Sequence, residues 1–156
     1  MITSLFLYKK FSSMKLQISN PKYYIDRSYK EGGAFLSIAT GKGDGTYDTD
    51  NAFCVFLSSG EVSEIIYAME TDFEGYSMSE KNPYQFSAYH DYENSGTGIV
   101  IGRNKEKDYV ILLNRAGKSQ KYYFDKLEKA KISMYLKSLY QYMFIWEGEI
   151  TKKEGK

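Results

Sequence analysis

The residues best suited to chemistry are few. His90 is the only histidine and Cys54 the only cysteine in 156 residues. A zinc site draws on several His or Cys ligands, which two such residues cannot supply. A nucleophilic triad would have to be assembled around His90, which sits in the tyrosine-rich stretch 87–92, and no G-x-S-x-G elbow occurs. Cys54 lies in the apolar run 52–57, the setting of an inert core or sheet thiol. Gly41-Lys42-Gly43-Asp44-Gly45 imitates a phosphate loop without its G-x-x-x-x-G-K-[ST] spacing, and it lies between two strand candidates. A hairpin tip is the expectation there. Asp44, Asp48, Asp50 and Asn51 offer oxygens for calcium, but the order an EF-hand needs is absent. They read as a solvated acidic turn. Nothing asks for an enzyme, a cofactor or a metal.

What recurs instead is aromatic beside basic. The chain is 17% aromatic, with 16 Tyr, 9 Phe and 1 Trp, and these rings interleave with Lys and Arg along strand-like stretches. The pieces are Tyr29, Lys30, Phe35, Lys42, Tyr47, Tyr89, Tyr92, Arg103, Lys105, Tyr109, Lys121 and Tyr123. A ring that stacks on an unpaired base contributes roughly 1–3 kcal/mol whatever the base, and lysines answer the phosphates. Taken singly, each is ordinary sheet surface or core, since Tyr favours strands. Only the set points to nucleic acid. Lys plus Arg (21) nearly cancels Asp plus Glu (20), so any such binding rests on local patches and stacking, not on a global field.

Strands must carry these residues. Alternation of apolar and polar side chains marks strands over 15–19, 22–29, 34–42 and 50–58. Ser58 with Glu61 reads as a capping box opening a short helix whose apolar face is Val62, Ile65, Ile66 and Met69. The plan then repeats, with strands at 84–92, 98–103, 109–114 and 120–125, Phe35-Leu36-Ser37-Ile38 matching Gly98-Ile99-Val100-Ile101, and Phe56 matching Phe124. Asp125 with Glu128 opens the longest helix near Lys126. Ile132, Leu136, Leu139, Met143 and Trp146 line its apolar face, which extends into a subunit interface near 142–146. The expected fold class is α+β: two antiparallel β-sheets of about four strands, each followed by a helix (ββββα repeated). Helices on one face of each sheet leave the other face free.

The length suits one domain. Its expected limits are a leader over 1–14 (mobile, or an edge strand), one domain over 15–148 in halves 15–76 and 84–148, and a charged tail over 149–156. A lone cysteine favours a reducing compartment, no apolar run reaches the roughly 20 residues of a membrane span, and the start is too short for a secretory signal. The default is a cytoplasmic protein, in a host cytoplasm if viral.

Two stretches resemble the Whirly proteins, which bind single-stranded DNA and share a fold plan with the transcriptional coactivator positive cofactor four. Tyr29-Lys30-Glu31-Gly32-Gly33-Ala34-Phe35-Leu36-Ser37-Ile38 resembles the lysine- and alanine-rich Whirly segment that opens a strand with Tyr-Lys. Glu31 and Gly32 stand where that segment usually carries another lysine. The strand and long helix ending on Trp146 are similar to the family's closing elements. The resemblance implies DNA along sheet edges and between subunits that often form tetramers, with Lys30 and Phe35 the first residues to carry over. The reading is a largely sequence-independent binder of single-stranded nucleic acid, DNA ahead of RNA, working as a homo-oligomer. The competing reading is a structural or protein-interaction module, such as a viral one, whose free sheet face meets protein.

Overall fold

Side chains that alternate in and out along each strand sort this chain into one shared core and two outward sheet faces. A computed structural model describes residues 4–19, 33–74, 84–92 and 95–154. Strands β1 (Ser4–Tyr8), β2 (Ser12–Ser19), β3 (Gly33–Thr40) and β4 (Phe53–Ser58) form an antiparallel sheet in chain order, followed by helix α1 (Ser59–Glu70). Strands β5 (Gln85–Tyr92), β6 (Ser95–Arg103), β7 (Tyr109–Arg115) and β8 (Lys118–Phe124) form the second, followed by α2 (Lys126–Glu154). The fold is α+β, with two ββββα units.

Met14, Leu16, Leu36, Ile38, Val55 and Leu57 point inward from the first sheet, and Ile99, Ile101, Ile111, Leu113 and Tyr122 from the second. Val62, Ile65 and Met69 of α1 and Ile132, Leu136 and Leu139 of α2 close a single core with them. Helix α1 packs against α2 and against β3, β4 and β5, while β4 lies on β6 and β7. Residues one step along each strand face outward. Gln17 and Cys54 on the first sheet, and Ser87, Tyr89, Lys121 and Tyr123 on the second, are exposed.

Both helix starts are capped, in different ways. The Glu61 N–H donates to Ser58 Oγ at 3.2 Å and the Ser58 N–H to Glu61 Oε1 at 3.1 Å, a complete capping box. At α2 the Glu128 N–H donates to Asp125 Oδ1 at 2.8 Å. The Glu128 carboxylate turns elsewhere, accepting the Tyr122 hydroxyl at 2.5 Å and pairing with Lys9. It thereby fastens the β1–β2 turn to the start of α2. Burial, then Glu128, pushes the Tyr122 hydroxyl well above its ordinary range.

The leader takes the edge-strand alternative, and one strand starts later than expected. Ser4–Tyr8 is a true edge strand, paired along its whole length with β2. The strand expected over 50–58 begins only at Phe53, because Thr49–Asn51 is a 3-10 turn in which the Asn51 amide donates to Asp48 Oδ2 at 2.9 Å. The strand expected over 22–29 lies outside the described residues. The internal match is not one of position in the sheet: Phe35–Ile38 lies in the third strand of its sheet and Gly98–Ile101 in the second of its own. Phe56 and Phe124 both lie near the end of a fourth strand but on opposite faces: counted from the caps Ser58 and Asp125, the buried Leu57 matches Phe124, while Phe56 faces outward.

Candidate nucleic-acid interface

Register fixes what each outward face displays. On the first sheet Phe6, Lys15, Ser37 and Cys54 stand opposite one another across all four strands, and Gln17, Phe35 and Phe56 form the next row. Phe6 and Tyr8 leave β1 on the same side, with ring planes 4° apart and centroids 6.3 Å apart. Tyr8 is 60% exposed, and Phe6 and Phe11 are exposed as well. Lys15 Nζ stands 5.3 Å from the Phe6 centroid and Lys10 Nζ 5.4 Å from that of Phe11. Tyr47 joins this strip, 5.5 Å from Tyr8, with its hydroxyl donating to the Lys9 carbonyl at 2.5 Å.

The 41–47 tip is held against the β1–β2 turn. The Gly41 N–H donates to the Phe11 carbonyl at 2.7 Å, and a Cβ at Gly41 would meet the Lys10 carbonyl oxygen at 2.5 Å, so only glycine fits. Lys42 is exposed on this tip. Asp44 beside it is spoken for: the Thr46 hydroxyl and N–H donate to its carboxylate and lower its pKa. That is the chemistry of a self-satisfied turn.

On the second sheet three rows face outward. Tyr89, Gly98, Asn114 and Ser119 form one; Ser87, Val100, Leu112 and Lys121 the next; Gln85, Gly102, Val110 and Tyr123 the third. Tyr89 is 67% exposed, and Tyr123 and Lys121 are exposed beside each other on β8.

Of the residues expected in the interface, the structure therefore brings Tyr47 and Lys42 together at one end of the first sheet, and Tyr89, Lys121 and Tyr123 onto the second. Phe35 is half-buried on the outward face of the first sheet, 5.5 Å from Phe56. Lys105 is exposed between β6 and β7. Tyr29 and Lys30 lie outside the described residues, and of Tyr92 only its place on β5 is described.

Two expectations are corrected. Tyr109 is 1% exposed, in the core between Phe73 and Phe124, and offers no ring face to a base. The Arg103 side chain is 5% exposed: Nε donates to the Asp72 carbonyl at 2.7 Å and the guanidinium lies 4.0 Å over the Tyr84 ring. Both serve Asp72, which joins the two halves. Its carboxylate accepts Tyr109 Oη at 2.5 Å and Lys129 Nζ at 2.9 Å, with Lys107 at 3.4 Å. Burial opposes the Asp72 charge, but Tyr109, Lys129 and Lys107 together outweigh it and hold the carboxyl well below the usual carboxylate range. Asp72 and Phe73 both adopt positive φ (53° and 62°), a backbone strain held in place by this network and by the complete burial of Phe73.

The outward residues missed from sequence were Phe6, Tyr8, Lys10 and Phe11, set aside with the leader, and Lys15, which opens the expected strand over 15–19. The signal was present: Phe6 and Tyr8 alternate with Leu5 and Leu7, and the latter two pack on the core.

The chemical residues stay apart. Cys54 reaches solvent on the open face, yet desolvation by the surrounding sheet pushes its thiol up, against the opposing pull of Ser37, Arg115 and Lys15. That disfavours the reactive thiolate. His90 Nε2 sits 2.7 Å from Glu61 Oε1, tying β5 to the cap of α1. Among the described residues no three His, Cys, Asp or Glu side chains gather as a metal site, and no helix is long and apolar enough to cross a membrane.

Two four-stranded sheets, each followed by a helix on a common core, define a Whirly-like fold, and solved structures bear this out. The plant transcriptional regulator PBF-2 superposes with a TM-score of 0.65 at 15% identity, over 96% of this chain and 86% of that one. WHY1 from Arabidopsis thaliana gives 0.65 at 12% identity, over 97% and 90%. The trypanosome MRP1/MRP2 structure gives 0.54 at 10% identity, over 89% and 83%. At these identities the likeness is one of fold. The sequence matches no family model and no curated protein.

Proposed function

We propose that this protein binds single-stranded nucleic acid with little sequence preference, DNA ahead of RNA, as a cytoplasmic homo-oligomer and not as an enzyme. Bases stack on Phe6, Tyr8, Phe11, Tyr89 and Tyr123, with Phe35 and Tyr47 at the margins. Lys10, Lys15, Lys42, Lys105 and Lys121 meet the phosphates. The observation that carries this reading is the pairing of exposed rings with lysines on sheet faces that the helices leave uncovered. Stacking accepts any base, since every base has a π-face, and the lysines contact only the backbone. A dry apolar patch would suit a protein partner, whereas Lys15 over Phe6 and Lys10 beside Phe11 suit a polyanion. The fold shared with a plant transcriptional regulator supports DNA as the ligand.

Mobility shift of a fluorescent oligo-dT tests the proposal. Binding at micromolar protein or below, weakening as salt rises, is the expected result. An oligonucleotide left free at micromolar protein and low salt would refute it.

A further inference from the structure

The outward face of the second sheet holds one ring in an unusual posture. Tyr89 pairs across the sheet with Gly98, and its side chain runs along β6 toward Gly96. A Cβ at position 96 would overlap the Tyr89 hydroxyl and the adjoining ring carbons. A Cβ at position 98 would meet Tyr89 Cδ2 at 3.8 Å, an ordinary contact. The ring thus lies down on bare backbone where a side chain would otherwise stand. The residue keeps 67% of its surface exposed. Beyond Gly98 the same row continues into Asn114 and Ser119, both exposed and polar, with Lys121 also exposed on β8.

We propose that Gly96 is a positioning residue that lets Tyr89 extend along β6 over bare backbone, so that the ring serves as a platform for one unpaired base. Asn114 and Ser119 then lie where the edge of that base falls, and Lys121 lies within the same patch for its phosphate. The inference rests on the nucleic-acid reading above and sharpens it, because the sheet geometry selects one ring. A side chain at 96 does not oppose the fold. Its backbone lies outside the left-handed region, and the obstructing atoms are the free end of Tyr89, which can swing away. The ring would stand up and lose its platform posture while the sheet stays intact.

Fluorescence anisotropy of labelled oligo-dT at low salt, with thermal melts run in parallel, tests this through Y89F, Y89A, G96A, G98A and the Y89A/G96A pair. Y89F retains the ring and binds more tightly than Y89A does. Y89A weakens binding roughly 5- to 100-fold, the consequence of losing one base–aromatic stack. G96A weakens it similarly without lowering the melting temperature, and G98A leaves it unchanged. In the Y89A background G96A has no further effect, because Gly96 acts only through the ring. Wild-type binding by G96A, or losses that add in the double variant, would overturn the positioning role. Wild-type binding by Y89A would remove the platform while leaving the general function standing. A wild-type protein that binds no oligonucleotide would overturn both.

Discussion

Asp72 shows how a residue can resemble a binding-site neighbour in sequence and yet be architecture. Four groups from β6, the turn after it, β7 and α2 converge on it, and only Asp, Asn or Gly is at ease at its φ of 53°. Asp72→Asn keeps the backbone preference and removes the charge that Arg103, Lys107 and Lys129 face. A loss of about 2 kcal/mol in urea unfolding at pH 7 is expected, below the range for a fully buried pair because these groups are partly solvated. The sign with pH follows from the depressed carboxyl. Its contribution is complete above the ordinary carboxylate pKa of about 4 and is lost as pH falls through the lower, folded value. The gap between variant and wild type should therefore narrow below about pH 4, and a gap independent of pH would contradict the assignment. Arg103 and Tyr109 were misplaced in the sequence reading for a related reason. Alternation puts Tyr109 on the same side as Ile111 and Leu113, so its burial was legible; the partner that buries Arg103 sits 31 residues away and was not.

At the scale of elements, local signals were read well and contextual ones less so. The capping box at Ser58 needs only residues three apart, and it is present in full. Its counterpart at Asp125 is half a box because Glu128 is claimed by Tyr122 and by Lys9, 119 residues distant in sequence, which no local pattern discloses. Ser58→Ala should lower stability by about 1 kcal/mol, as loss of an N-cap does. Glu61→Ala should cost more, since Glu61 also holds His90 of β5. Thermal melts that rank the two the other way would mean the His90 contact contributes nothing. The edge strand β1 was only one of two alternatives for residues 1–14, because a five-residue strand looks like a leader until β2 pairs with it. The exposed rings of β1 and of the turn after it touch little of the core, so Tyr8→Ala and Phe11→Ala should each stay within about 0.5 kcal/mol of wild-type stability. Both should nonetheless weaken oligonucleotide binding. A variant that melts early but binds normally would assign these rings to the fold.

For the whole molecule, the α+β plan was legible because period-two and period-3.6 patterns alternate in the same order twice. The interface was legible only as a composition, because register decides which rings reach solvent. Charge behaves alike: a net charge of +1 supplies no long-range field, so the salt dependence of binding counts local contacts. Each phosphate contact to a single strand contributes about 0.7 to the slope of log affinity against log salt. Lys15→Gln on the first sheet and Lys121→Gln on the second should each flatten that slope by about 0.7, and together by about 1.4, if one strand engages both faces. Arg103→Gln makes the contrast, since its side chain is inside the fold. It should lower the melting temperature and leave the slope of the folded protein unchanged. If Lys15→Gln alone flattens the slope, the strand tracks the first sheet only; if Arg103→Gln does so and neither lysine variant does, the outward faces are not where the nucleic acid lies.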